Sequence, residues 1–268
     1  MICCFSTDGK DERNDPMKYD AQDCLLVQKN KLTDTIYDFR LKNAGLAEIS
    51  RPGQFAHLLV PGKTLRRPIS ICDVQDDIIR LVFEIRGQGT EILAATEVGQ
   101  TINMICPLGN GFEIPEDKKI IFIGGGIGVP PMLYSARTAG KNAIVINGFR
   151  DKSAVILTED FKKIGCRLIE TTDNGSYGYH GFVTSPLEEV IDECDMICAC
   201  GPAPMLRNIA KAAAEHGKEC FVSLEQRMAC GVGACLGCAV KINREDGSFT
   251  YKHVCKDGPV FRAEEVAW

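Results

Sequence analysis

Cys230, Cys235 and Cys238 form a C-x4-C-x2-C run, and Cys255 follows after a longer excursion. This is the spacing of a plant-type [2Fe–2S] cluster. Three thiolates on one compact loop, with a fourth brought in from a distance, can enclose a small inorganic core. Gly231, Gly233 and Gly237 lie between them. Glycine there lets the backbone adopt positive φ and bring its N–H groups close to sulfur. A structural zinc site also uses four cysteines, but usually as two separated C-x2-C pairs. A disulfide framework belongs to small secreted chains, and the apolar start at Met1 is too short for a secretory signal. The spacing therefore favours iron–sulfur chemistry, which moves one electron at a time.

The chain has 14 cysteines, so ten lie outside this set. Several, such as Cys194, Cys198 and Cys200, sit in apolar runs where cysteine acts as a small buried hydrophobe. So many free thiols imply a reducing, cytoplasmic setting. At 268 residues, 45% of them hydrophobic, the chain suits two medium domains with packed cores. A net charge of -5 argues against nucleic acid as the main partner. No apolar stretch is long enough for a helical membrane span.

The elements that must hold these residues fall into three units. Residues 1–16 are polar and read as a disordered extension, with Met17 as an alternative start. From 17 to 116 the pattern is strand-rich, with strands expected at 23–28, 35–41, 54–59, 78–84 and 101–106. Pro and Gly punctuate them, which suggests a small antiparallel barrel. From 117 to 224 strands at 119–123, 142–147, 166–172, 195–200 and 219–224 alternate with helices at 131–139, 158–164, 185–191 and 203–216. That alternation implies a parallel sheet with helices on both faces. Residues 225–268 form a small cluster-binding module.

Gly124, Gly125, Gly126 and Gly128 follow the first strand of the α/β unit, and Pro130 and Pro131 open its first helix. A glycine turn there exposes N–H groups that suit a pyrophosphate, although the run is not the strict G-x-G-x-x-G fingerprint. Cys200, Gly201 and Pro202 mark a second strand–helix junction that faces the same crevice. Arg150 and Asp151 follow the second strand of that unit. Arginine suits a 2′-phosphate and aspartate a free 2′-hydroxyl, so the pair leaves NAD against NADP open.

Arg67-Pro68-Ile69-Ser70 comes first in the chain, then Gly87-Gln88-Gly89-Thr90, then the glycine loop. That order resembles the ferredoxin–NADP reductase superfamily. The cluster run and the later Cys255-Lys256-Asp257-Gly258-Pro259 narrow the resemblance to the electron-transfer subunits of dihydroorotate dehydrogenase B, the PyrK family. It covers nearly the whole chain from about residue 18. The resemblance implies FAD on the barrel, with Arg67 on the flavin pyrophosphate, Ser70 near the reactive flavin edge, and Gly89 and Thr90 on the phosphates. It implies NAD on the α/β unit, with Cys200 near the nicotinamide–flavin contact. It also implies a partner: a catalytic subunit with FMN that oxidises dihydroorotate, assembled as a heterotetramer of two of each chain. Electrons would pass from FMN through [2Fe–2S] and FAD to NAD+.

Two other functions fit parts of the pattern. One is a flavin/iron–sulfur reductase that exchanges electrons between NAD(P)H and ferredoxin. The other is a non-enzymatic iron–sulfur sensor, which the flavin and nucleotide loops disfavour. His57, on an expected barrel strand, suits either flavin contact or packing. His180, His216 and His253 share no metal-ligand spacing. The glycine-rich loop 173–182 suits a nucleotide border or a plain turn. Glu225 and Arg227 suit bracing of the flavin or cluster loop, or a surface ion pair.

Overall fold

A computed structural model describes residues 20–268. The expected extension at 1–16 and the alternative start at Met17 lie outside the described residues. Six antiparallel strands close a barrel: β1 (Ala21–Lys31), β2 (Ile36–Lys42), β3 (Phe55–Leu58), β4 (Arg67–Gln75), β5 (Ile78–Glu84) and β6 (Thr101–Leu108). Their order is β1-β2-β5-β4-β3-β6. Closure removes open edges, so no strand is left to pair with another chain. Inward residues such as Leu26, Phe39, Leu58, Ile71, Leu81 and Met104 are fully buried. Phe39 and Phe83 meet edge-to-face at 5.0 Å, a favoured aromatic geometry. Two short helices, α1 (Ala44–Ile49) and α2 (Gln88–Ala94), plug the barrel's connections. β4 was not among the expected strands, because Pro68 and two arginines at its start break the apolar pattern that marks a strand.

The second unit is a seven-stranded sheet. Its parallel strands are β7 (Ile120–Gly125), β8 (Ala143–Phe149), β9 (Arg167–Thr172), β10 (Tyr179–His180), β11 (Met196–Cys200) and β12 (Glu219–Ser223). Helices α3 (Pro130–Ala139), α4 (Thr158–Ile164), α5 (Thr184–Val190) and α6 (Ala203–Glu215) connect them. Buried on both faces, β7 and β8 are almost wholly apolar, as central parallel strands must be. The order is β10-β9-β8-β7-β11-β12, and the direction of winding reverses between β7 and β11. That switch point opens a crevice at the carboxyl ends of the strands.

After β12 the chain leaves the sheet, forms the cysteine loop and a hairpin of β13 (Ala239–Asn243) and β14 (Phe249–His253), then returns. Its return strand, β15 (Val260–Arg262), pairs antiparallel with β12 and completes the seven-stranded sheet.

Barrel and sheet are tied by buried charge. Arg80 of β5 donates to Asp38 of β2 at 3.0 and 2.9 Å and to Asp160 of α4 at 2.7 Å. Arg137 of α3 donates to Asp73 of β4 at 2.6 Å. The Tyr134 hydroxyl donates to the Ser50 carbonyl at 3.1 Å. One face of the sheet packs α5 and α6, while α3, α4 and barrel residues including Ile36, Val82 and Phe112 share the core of the other.

Candidate functional site

A cleft of about 210 Å³ runs between the barrel and the carboxyl end of the sheet. Its barrel wall is Arg67, Pro68, Ile69 and Ser70 with Thr90, and Cys200 faces them from β11. Six of the residues singled out from sequence thus meet in one place. Among the described residues the Arg67 guanidinium donates only to the carbonyls of Leu65 at 2.7 Å and Arg66 at 3.3 Å. It therefore keeps a charge that no carboxylate neutralises, aimed along the start of α2. Gly89 makes that position possible: a Cβ there would stand 2.4 Å from Arg67 Nε. The Thr90 hydroxyl accepts from Arg86 N at 2.9 Å and donates to the Gly87 carbonyl at 3.0 Å, which fixes the turn into α2. An uncompensated guanidinium beside a fixed helix start fits a pyrophosphate. Arg66 has a different task. It donates to the carbonyls of His57 and Asn103 at 3.2 Å each and to Asn103 Oδ1 at 2.6 Å, so it braces the barrel.

The cleft also takes in residues that the sequence reading did not place here: Phe55 on the barrel wall, and Ile127, Ser223 and Gln226 across from it. Phe55 and the 223–226 segment lie far apart in the chain, so no local pattern joins them, whereas Ile127 sits inside the glycine loop already singled out. Glu225, which had been left open, also lines the cleft, 4.0 Å from Arg86. Burial pushes the Cys200 thiol up to about 12; the Glu225 charge adds to this and the Ser223 hydroxyl partly offsets it. The thiol is thus neutral at physiological pH.

A second crevice, of about 430 Å³, lies at the switch point and is lined by Gly125, Gly126 and Pro202. Gly126 adopts φ +55, a left-handed conformation costly for any residue with a Cβ. The other glycines serve close packing. A Cβ on Gly124 would come within 2.6 Å of Val129 Cα, and one on Gly128 within 2.3 Å of the Cys200 carbonyl oxygen. A Cβ on Gly201 would meet Met205 Cε at 2.5 Å. These three do not line the crevice; they bring its walls together. The Thr171 hydroxyl lines the crevice and is buried with no partner, as expected of a group kept for a ligand. Arg150 also lines it, whereas the Asp151 carboxylate accepts from Ser153 N at 2.9 Å and from the Ser153 hydroxyl. Of loop 173–182, Asp173 and Phe182 border the crevice. Phe149 and Met205, also on the lining, had no sequence signal apart from core hydrophobicity.

The four cysteines of the spacing motif converge in two pairs. Cys238 and Cys255 place their sulfurs 3.3 Å apart, too far for a disulfide bond of about 2.05 Å. Burial raises the Cys230 thiol, but the N–H groups of Val232, Cys235 and Ala234, together with the Cys235 thiol, outweigh it and bring it down to about 6. Gly233 N donates to Cys255 Sγ at 3.1 Å and Gly237 N to Cys235 Sγ at 3.5 Å. Gly231 and Gly233 adopt φ +73 and +79, which turns those amides inward. Among the described residues no group of three or more His, Cys, Asp or Glu side chains surrounds a single metal ion. Two thiol pairs within a nest of N–H donors instead fit a binuclear [2Fe–2S] core, which takes four cysteine ligands over two irons.

His57 faces this loop and does not line the Arg67–Cys200 cleft. It is fully buried, and a Cβ on Gly231 would stand 2.3 Å from His57 Nδ1. Burial holds the imidazole down to about 4, Arg66 lowers it further, and the Arg66 and Cys230 carbonyls partly oppose this. Among the described residues no helix is long and apolar enough to cross a membrane.

Residues 225–267 match the family model described as the iron-sulfur cluster binding domain of dihydroorotate dehydrogenase B. The chain is 40% identical over 243 residues to the "Dihydroorotate dehydrogenase B (NAD(+)), electron transfer subunit" of Caldanaerobacter subterraneus subsp. tengcongensis, covering 90% of this chain and 96% of that one. It is 39% identical over 256 residues to the protein of the same name from Bacillus velezensis, covering 91% and 98%. Among solved structures, one of the NADH-dependent reduced ferredoxin-NADP oxidoreductase superposes with a TM-score of 0.81 at 32% identity, covering 91% of this chain and 90% of that one.

Proposed function

The chain belongs to the family of dihydroorotate dehydrogenase B electron transfer subunits, and from that premise we propose that it carries electrons between a catalytic partner subunit and NAD+. The observation that carries this reading is the thiol-lined loop, matched to the family's cluster domain, packed against His57 of the same barrel that lines the Arg67–Cys200 cleft. When bound, [2Fe–2S] supplies one-electron transfer, and FAD joins that chemistry to hydride exchange with nicotinamide.

The chain's own residues provide the binding sites. Arg67 and the start of α2, with Gly89 and Thr90, hold the flavin pyrophosphate. Pro68, Ile69 and Ser70 lie along the flavin. Gly124, Gly125, Gly126 and Gly128, with Gly201 and Pro202, shape the nucleotide crevice. Cys200 closes the space between flavin and nicotinamide with a neutral, uncharged surface. Cys230, Cys235, Cys238 and Cys255 hold the cluster. In this division residues 17–116 serve FAD, 117–224 serve NAD and 225–268 serve the cluster.

The partner is an FMN-containing dihydroorotate dehydrogenase catalytic subunit, in an assembly of two of each chain in the cytoplasm, acting in pyrimidine biosynthesis. What supports this is the shared name of the curated relatives and the free state of the described cysteines. The test is dihydroorotate-dependent NADH formation by the complex purified anaerobically through this chain. Activity that disappears when the partner is stripped away supports the reading. A second reading is favoured by the 32% identity to the NADH-dependent ferredoxin-NADP oxidoreductase structure: a flavin/iron–sulfur subunit that works with ferredoxin. Ferredoxin-linked NAD(P)H turnover without any dihydroorotate activity, in a sample with intact FAD and cluster, would select it.

A further inference from the structure

His57 stands opposite Pro68 in the β3–β4 ladder, so it shares a rung with the Arg67–Ser70 strand of the flavin-side cleft. Its ring packs against the cysteine loop. The imidazole packs over Gly231, whose φ of +73 and missing Cβ let the two meet. It is 0% exposed, and neither ring nitrogen has a well-formed hydrogen-bond partner. The Arg66 and Cys230 carbonyls nonetheless lie near enough to attract a ring N–H, the second of them at the start of the cysteine loop. Arg66 fixes the same strand from behind by donating to the His57 carbonyl at 3.2 Å. A buried polar ring with unspent hydrogen-bonding capacity is costly where packing is its only role, since an apolar side chain would fill the space without desolvating two nitrogens.

We propose that His57 is the positioning residue that registers the Cys230 end of the cluster loop on the flavin strand, and that its ring N–H tunes the cluster electrostatically. This rests on the cluster reading of the four cysteines. N–H groups around the thiolates favour the state carrying the extra electron, so they raise the reduction potential. His57 brings a ring N–H to the Cys230–Gly231 backbone from outside the loop, and it does so from the strand paired with Arg67–Ser70. The same contact therefore sets both the distance and the driving force between the two redox sites.

The experiment is a redox titration of the [2Fe–2S] centre by EPR in the intact complex, for the native chain, His57→Leu and His57→Gln. FAD and iron contents are measured alongside. The expected result is full FAD in all three. In the leucine protein the ratio of reduced to oxidised cluster at a fixed potential falls roughly tenfold, about 59 mV for a one-electron couple. Glutamine, which keeps an N–H, restores most of it. Loss of the cluster with FAD retained in the leucine protein also supports the proposal. Identical potentials in all three proteins overturn it. So does loss of both FAD and cluster in the leucine protein, which assigns His57 to barrel packing. Absence of a [2Fe–2S] signal from the native chain, by contrast, would strike at the cluster reading itself.

Discussion

Cys200 and Ser223 are register partners on the neighbouring parallel strands β11 and β12, and the Ser223 hydroxyl partly offsets the upward push of burial on the Cys200 thiol. Partners in register point to the same face, so both reach the Arg67–Cys200 cleft together. Ser223→Ala removes that offset and leaves the thiol more firmly protonated. FAD content is expected to stay unchanged, while the rate of NADH-dependent flavin reduction falls about two- to tenfold, equivalent to roughly 0.4–1.4 kcal/mol. Stopped-flow reduction of the purified chain measures this directly, and an unaltered rate would remove Ser223 from the site.

Cys230 is the thiol most strongly prepared for ionisation, because three backbone N–H groups and a neighbouring thiol converge on it. Cys230→Ser is expected to abolish or degrade the [2Fe–2S] visible and EPR spectrum while FAD still binds. A normal cluster spectrum in that variant would count against the ligand assignment.

Arg67 holds an unneutralised charge at the start of α2. A charge-assisted hydrogen bond contributes about 1.5–3 kcal/mol, so Arg67→Ala should weaken FAD binding by roughly 10- to 150-fold. Flavin-to-protein ratios after gel filtration report it; full retention of FAD would place the pyrophosphate elsewhere.

Arg80 joins barrel and sheet through Asp38 and Asp160, whose side chains are 2% and 31% exposed. Burial by itself would lower the guanidinium, but its bonds to the two aspartates outweigh that and keep it charged. Arg80→Met strands the buried Asp38 carboxylate and should cost about 3–5 kcal/mol. Asp160→Asn, nearer the surface and still able to accept, should cost far less. Urea denaturation of the variants would show that order, and equal losses would contradict it.

Several thiols titrate abnormally high because they are buried: Cys24 and Cys194 at about 11, Cys106, Cys200 and Cys220 at about 12. In the unfolded chain each ionises near 9.0. A raised folded value means the stability is present in full below pH 9 and is lost as pH climbs from about 9 toward 12. Denaturation midpoints under reducing conditions should hold from pH 7 to 8 and then decline. A flat profile up to pH 11 would show that these thiols are not sealed from solvent.

Much of this architecture is legible in the sequence, for identifiable reasons. The strand at β5 and the helix α4 were expected over the residues they occupy, since each is a short pattern bounded by clear turn or capping signals. β4 was hidden by Pro68. The β13–β14 hairpin had a signal that was passed over: Asp246-Gly247, where Gly247 takes φ +81, is a favoured hairpin turn. The thiol loop was readable because its spacing is local, whereas Phe55 and the Ser223–Gln226 segment reach the cleft from two distant parts of the chain. His57 was read as flavin contact or packing, and only the fold shows it facing Gly231.

β15 gives the cluster segment an unusual attachment. Ser223, where the chain leaves the sheet, and Val260, where it returns, are partners on one rung, and Leu224 N donates to the Pro259 carbonyl at 2.9 Å. Everything between them is a cassette whose two ends meet at a single point. Such a cassette can vary in length between two fixed ends wherever it does not touch the barrel, as it does at His57 and at Asn110, whose N–H donates to the Gly258 carbonyl at 2.6 Å. One reductase scaffold can therefore take on a new electron partner by a graft at that rung.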